Sequence, residues 1–242
     1  MLFIVTGASS GIGFAVARSL AVRHNDVIAV ARNVDRLESL KSSCGDRVRI
    51  VPADLSTKPG HNSVVEKVKL IGKVDGIAHA AGSLITPAKY QDLKADEMLA
   101  DLNIHITVPI SLNNALQDEV ADGRILYIDS YSANNLRVGW SGYSIVKAAA
   151  QMAARSAAKE ITKSTIVRVY PGAVQTPLVE AILSTKQSSP TFDMFKEMES
   201  NGSISEPGVV GEFIADILVT ATDQQLEERE IWDFNNASDR IF

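Results

Sequence analysis

Short apolar runs rich in β-branched residues alternate with helical patterns along the whole 242-residue chain. That alternation restricts the fold more than any other feature. Residues 2–5 read as a first strand, followed by a helix from about 12 to 23. Residues 27–31 and 48–51 read as the next two strands, with helices from about 34 to 41 and through 64–68. A fourth strand covers 74–79, and one long helix from about 96 to 116 precedes a fifth at 124–128. Tyr143 opens an alanine-rich helix through Ala158, and a sixth strand follows at 165–169. A helix near 208–220 and a last strand near 230–232 close the chain. Strands that are apolar throughout, each separated by a helix, predict a parallel sheet covered on both faces. Right-handed crossovers then give an α/β, doubly wound parallel sheet of about seven strands. No repeat or linker divides the sequence, so residues 1–242 are expected to form one domain.

Charge and cysteine content narrow the function classes. The chain carries 24 basic and 29 acidic residues, a net of −5, with no block of one sign. It offers no basic footprint for nucleic acid or an anionic membrane. The one cysteine, Cys44, rules out an internal disulfide, and no metal-ligand set is expected. No run approaches the ~20 apolar residues of a membrane span, and no basic leader precedes the first strand. A cytoplasmic location is the expectation.

Two local patterns suggest chemistry. Thr6-Gly7-Ala8-Ser9-Ser10-Gly11-Ile12-Gly13 lies between the first strand and first helix. Glycines there permit a tight turn and close approach to a pyrophosphate, and the helix N-terminus adds free N–H groups. The spacing is Gly-x-x-x-Gly-x-Gly. The second pattern is Tyr143 with Lys147 one helical turn later, so both project from one face. An ammonium beside a phenol favours the phenolate, and a tyrosine tuned that way can exchange a proton near neutral pH.

Together these motifs resemble the short-chain dehydrogenase/reductase family, and the likeness runs the length of the chain. The resemblance implies a compact Rossmann-like domain that binds a nicotinamide cofactor through Gly7, Ser9, Ser10, Gly11, Ile12 and Gly13. Asp54, followed by Leu55, resembles the family aspartate at the adenine; the other reading is a cap on the next turn. His79-Ala80-Ala81-Gly82 resembles the family's Asn-Asn-Ala-Gly segment; Ala81 and Gly82 would pass close to the cofactor, and His79 would be structural. Pro171-Gly172, with Val174 and Thr176 beyond, resembles the segment that meets the nicotinamide carboxamide. Ser130, thirteen residues before Tyr143, and Asn103 in the long helix complete the family's catalytic set with Tyr143 and Lys147. The resemblance implies that Tyr143 is the general acid or base and Ser130 donates to the carbonyl oxygen. Lys147 would lower the Tyr143 pKa and hold the ribose, and Asn103 would anchor a water behind Lys147.

Cofactor choice is read from the end of the second strand. An NAD site places an acid there for the ribose 2′-hydroxyl. This chain has Ala31, then Arg32, and a guanidinium suits a 2′-phosphate. NADP(H) is expected, with Arg32 as its determinant; the other reading is a solvent-facing arginine. Residues 177–205 match the family's variable substrate-covering segment. Its apolar side chains could line a pocket or form the inner face of a helical lid, and Trp140, Tyr131 and Leu136 could add wall. The expected reaction is NADPH-dependent reduction of a small ketone or aldehyde, possessing an apolar body, to the alcohol. The alternatives are a 3-oxoacyl-carrier-protein reductase and a catalytically idle NADP(H) sensor. A homodimer or homotetramer is expected through the helices at 96–116 and 143–161.

Overall fold

The computed structural model describes residues 1–83, 87–184 and 189–240. Seven strands form one sheet: β1 (Leu2–Thr6), β2 (Asp26–Ala31), β3 (Val48–Pro52), β4 (Gly76–His79), β5 (Arg124–Ile128), β6 (Thr165–Tyr170) and β7 (Trp232–Asp233). Their order is β3-β2-β1-β4-β5-β6-β7, and every pairing is parallel. The doubly wound expectation holds.

Alternation along each strand explains why both faces are apolar. On one face Phe3, Val5, Val27 and Ala29 pack with Val16 and Leu20 of α1 (Gly11–Val22) and with Leu37 and Leu40 of α2 (Val34–Cys44). On the other, Ile4, Ile28, Ile77 and Ile125 pack with Val64 and Val68 of α3 (Lys58–Ile71). Caps mark the helix starts: the Asn33 side chain accepts the Arg36 N–H at 2.9 Å, and Thr57 accepts that of Gly60 at 3.2 Å.

The single long helix expected over 96–116 is instead two helices, α4 (Ala95–Leu102) and α5 (Val108–Ala115), joined by a wide π-type turn, Asn103–Thr107. Pro109 is the cause. It has no N–H for the carbonyl four residues back, and its ring crowds that carbonyl. The chain widens, and the Val108 N–H reaches the Asn103 carbonyl.

The remaining large helices are α6 (Ser141–Glu160), α7 (Pro177–Ser184), α8 (Pro190–Ser200) and α9 (Pro207–Val219). α9 lies along α1 and fills the first core with Phe213, Ile214 and Ile217. The variable segment is thus largely the pair α7 and α8, with residues 185–188 outside the described part. Trp140, Val179, Ile182 and Phe195 form a third, smaller core beneath that pair. No helix among the described residues is long and apolar enough to cross a membrane.

Candidate active site

Strand order reverses between β1 and β4, and in open α/β sheets a crevice forms beyond the strand ends at such a point. Gly7 takes φ +69°, and a Cβ on it would lie 2.6 Å from the Ala80 carbonyl oxygen. A Cβ on Gly13 would lie 2.4 Å from the Gly7 oxygen. Gly13 therefore serves helix-to-loop packing. The buried Thr6 hydroxyl accepts the N–H groups of Ala80 (3.1 Å) and Ala81 (3.0 Å), tying the two strand ends together. Ser10 caps α1 with extended backbone and no side-chain bond, so the first-turn N–H groups keep no capping partner from it.

A cleft of about 280 Å³ opens here, bounded by Gly7, Ser9, Ser10, Ala81 and Gly82. Its far wall holds Ala31, Arg32, Asp54 and Leu55. A glycine-walled turn, a helix N-terminus and a cation at the distal end fit the phosphates of a dinucleotide. Asp54 caps the next turn and also lines the cleft. Its Oδ1 accepts the Ser56 hydroxyl at 2.6 Å and the Ser56 N–H at 3.0 Å, while the residue also walls the cleft. The Ser56 hydroxyl, with a smaller contribution from Arg32, holds the Asp54 carboxyl below its ordinary value against desolvation. Arg36, which sequence reasoning passed over, lines an adjoining cavity with Ser9, Ser10 and Gly11. It lies in the first turn of α2, whose start just after the β2 end could have flagged it.

Ser130 stands just beyond β5, facing α6. Tyr143 and Lys147 lie on one face of α6, and the Ser130 side chain hydrogen-bonds the Tyr143 phenol. Lys147 is buried, and its Nζ donates to the Ile128 carbonyl at 2.9 Å. Desolvation pushes Lys147 down to about 8, with the Asp129 charge opposing. The expectation that Lys147 draws the Tyr143 pKa downward is corrected. Burial raises the phenol above its ordinary value; the Ser130 bond lowers it and Asp129 raises it further. Desolvation outweighs the Ser130 hydrogen bond, so Tyr143 is held as the neutral, proton-bearing phenol.

Asn103 is also corrected. The structure does not bring it to Lys147: its Nδ2 donates to the Ser56 carbonyl at 3.2 Å, on the nucleotide side. His105 takes the place behind Lys147. Burial, then the Lys147 charge, pushes its pKa down to about 3, and both residues line one cavity. Residues two apart on a helix point in nearly opposite directions. Pro109 was the signal that uniform helical counting would fail here.

In front of Tyr143 lies a cavity of about 220 Å³. Ile12, Pro171, Gly172, Val174 and Thr176 form one side, with Ser130, Tyr143 and Lys147 at the floor. Trp140, Leu178, Val179, Met194, Phe195 and Met198 form an apolar wall. Val179 and Phe195 belong at the same time to the third core, so the segment is both pocket wall and lid. The Trp140 ring lies 4.7 Å from that of Tyr143 and 6.2 Å from that of Phe195. Tyr131 lines the cavity, whereas Leu136 is 79% exposed and adds no wall. Polar groups at the rim are Ser132, Asn135 and Arg137.

A family model described as short chain dehydrogenase matches residues 2–187. An uncharacterized oxidoreductase of Staphylococcus haemolyticus is 32% identical over 185 residues, covering 73% of this chain and 79% of that protein. Among solved structures, a short chain dehydrogenase/reductase from Saccharomyces cerevisiae superposes with TM-score 0.89 at 23% identity, covering 98% of this chain and 97% of that one. The L-sorbose reductase of Gluconobacter frateurii, complexed with NADPH and L-sorbose, superposes with TM-score 0.78 at 25% identity, covering 93% and 90%.

Proposed function

The chain belongs to the short-chain dehydrogenase family, and from that membership we propose that it is an NADPH-dependent carbonyl reductase acting on ketones or aldehydes with an apolar body. The observation that carries this reading is the Ser130–Tyr143–Lys147 cluster at the floor of an apolar cavity that adjoins the glycine-walled cleft. Gly7, Ser9, Ser10, Asp54, Leu55, Ala81 and Gly82 would hold the adenosine and pyrophosphate. Arg32 would pair with the 2′-phosphate, and Ile12, Pro171, Gly172, Val174 and Thr176 would flank the nicotinamide. When bound, the nicotinamide supplies a hydride to the carbonyl carbon.

The protein's own part is to orient the carbonyl and move a proton. Charge develops on the carbonyl oxygen, and Ser130 stabilises it with a hydrogen bond. Tyr143 gives that oxygen its proton as general acid. A phenol whose pKa is raised by burial carries that proton at neutral pH, which suits reduction. Lys147, pushed to about 8, is still mostly ammonium at pH 7 and can resupply the phenol. The L-sorbose reductase complex with NADPH supports the same cofactor and direction here. Retention of both Tyr143 and Lys147 speaks against an idle sensor. A cytoplasmic homodimer or homotetramer completes the reading; Leu99 of α4, Ile110 of α5 and Ile145 and Met152 of α6 are exposed apolar residues available to a second copy.

NADPH oxidation against a carbonyl panel tests the proposal, with Tyr143→Phe as the control. Wild type should turn over apolar ketones, and the variant should lose more than a hundredfold. A variant within tenfold of wild type would sink the acid assignment.

A further inference from the structure

Three charged side chains line the cavity in front of Tyr143: Asp129, Lys147 and Arg137. Two are engaged from behind. Asp129 is paired with Arg168 at 2.7 Å, and Lys147 donates to the Ile128 carbonyl at 2.9 Å. Arg137 is not. It forms no ion pair with a carboxylate among the described residues. Within that set its guanidinium meets only the thioether sulfur of Met194, across the mouth on α8. A thioether is a weak acceptor, whereas a guanidinium carries five N–H donors in a planar fork.

The backbone holds this cation in place. The Arg137 carbonyl accepts the Trp140 N–H at 3.0 Å, and the next carbonyl, of Val138, accepts the hydroxyl of the fully buried Thr191 at 3.4 Å. Two residues earlier, the Asn135 N–H and Nδ2 both reach the Tyr131 carbonyl, at 3.1 and 2.9 Å. A loop fixed on both sides of Arg137 loses little backbone freedom when a ligand arrives.

The charges are also unbalanced. Arg168 neutralises Asp129, which leaves a cation at the floor, Lys147, and a cation at the rim, Arg137, in a chain of net charge −5. Between them runs the apolar wall of Trp140, Phe195 and Met198, and low-dielectric walls focus a potential of one sign into a cleft. A neutral ketone would use the floor and the wall alone. A ketone with an anion at its far end would use the rim as well. One free guanidinium balances one negative charge and matches the two oxygens of a carboxylate.

We infer that the substrate of this site is an oxo acid: a carbonyl compound whose apolar stem ends in a carboxylate, paired with Arg137 at the cavity mouth. This rests on the carbonyl-reductase reading above. Ser130 and Tyr143 meet the carbonyl oxygen, the aromatic and methionine wall meets the stem, and Arg137 selects the charge. The carboxylate lies away from the reacting carbon, so the pairing is the same in the ground and transition states. It therefore lowers KM and leaves kcat nearly untouched.

The test measures steady-state reduction of 3-benzoylpropionate and of its methyl ester at saturating NADPH. Wild type should favour the acid by roughly 5–20-fold in kcat/KM, the range of a charge-assisted pair at a partly open rim. The difference should lie in KM and shrink at high salt. Arg137→Gln should bring the acid-to-ester ratio close to one, Arg137→Lys should keep part of it, and Arg137→Glu should invert it. Because the ratio is taken within one protein, a variant of lowered overall activity still reports. An acid-to-ester ratio near one in wild type, or a ratio unchanged in Arg137→Gln, overturns the proposal. So does an equal rise in KM for both compounds, which would make Arg137 a latch to Met194. Failure of the underlying reading looks different: neither compound, nor any ketone of the panel, is then reduced. Calorimetry with the NADP+-loaded protein gives a readout without turnover. The acid should bind more tightly than the ester, and Arg137→Gln should remove that difference; equal binding of the two by wild type overturns the pairing.

Discussion

Arg168 grips one carboxylate oxygen of Asp129 through Nη2 at 2.7 Å and Nε at 3.2 Å, one residue before Ser130. Both side chains are nearly out of solvent, at 5% and 3% exposure. The other oxygen accepts the Ser130 N–H at 2.8 Å, so the pair fixes the strand end that carries Ser130. Its anionic member also raises the pKa of both Tyr143 and Lys147. Removing one partner strands a buried charge. Arg168→Leu is expected to cost about 3–5 kcal/mol in urea unfolding; a loss below ~1 kcal/mol would mean the pair is dispensable.

Lys147 should carry a stability cost. Its folded pKa of about 8 lies below the ordinary 10.5. Between those values the unfolded chain binds more protons, so stability from this group rises with pH from about 8 to 10.5 and is lowest below 8. Lys147→Met removes the cost and also the bond to Ile128. At pH 7 the variant is expected to be more stable by about 1–3 kcal/mol, after the lost hydrogen bond. The gap should narrow by pH 9.5. Urea midpoints at the two pH values decide; a variant less stable at both contradicts the buried-ammonium picture.

Acid should unfold the protein by way of two imidazoles. Desolvation first holds His79 at about 4, against its bond to Asn113, and burial then Lys147 hold His105 at about 3. Both folded values lie below the ordinary 6.5, so the unfolded chain takes up protons first. Stability from these groups is full above 6.5 and is lost as pH falls toward 4. The expected slope is about 1.4 kcal/mol per pH unit for each histidine. His79→Gln should halve it, and a urea midpoint flat from pH 7 to 5 would refute the assignment.

Cofactor preference should reside in Arg32, which walls the distal end of the cleft. A charge-assisted bond to a phosphate is worth ~1.5–3 kcal/mol. Arg32→Ala is therefore expected to lower kcat/KM for NADPH by roughly 10–100-fold and to leave that for NADH within about threefold. Steady-state kinetics with both cofactors check this. Equal losses with the two would point to a structural role, and a wild type that prefers NADH would remove the NADPH assignment.

The sheet was legible because β1 and β2 are buried on both faces, and burial on both faces writes itself as an unbroken apolar run. Tyr143, Lys147, Ser130 and the glycine turn were legible because their spacing is set by regular structure. Asn103 was misread because counting assumed one uniform helix, and Pro109 widens it just there. The tuning of Tyr143 was misread for another reason: a neighbour four residues away is visible in sequence, whereas desolvation depends on α7, α8 and strand ends distant in the chain. The Asp129–Arg168 pair is invisible for the same cause, since 39 residues separate its members.

The small core of Trp140, Val179, Ile182 and Phe195 is separate from the two that hold the sheet. Mutational drift in α7 and α8 can therefore reshape the wall that meets the substrate without disturbing the two cores that hold the sheet. Innovation and foldability are uncoupled in this chain. The segment that walls the substrate cavity is the one whose change the sheet tolerates best.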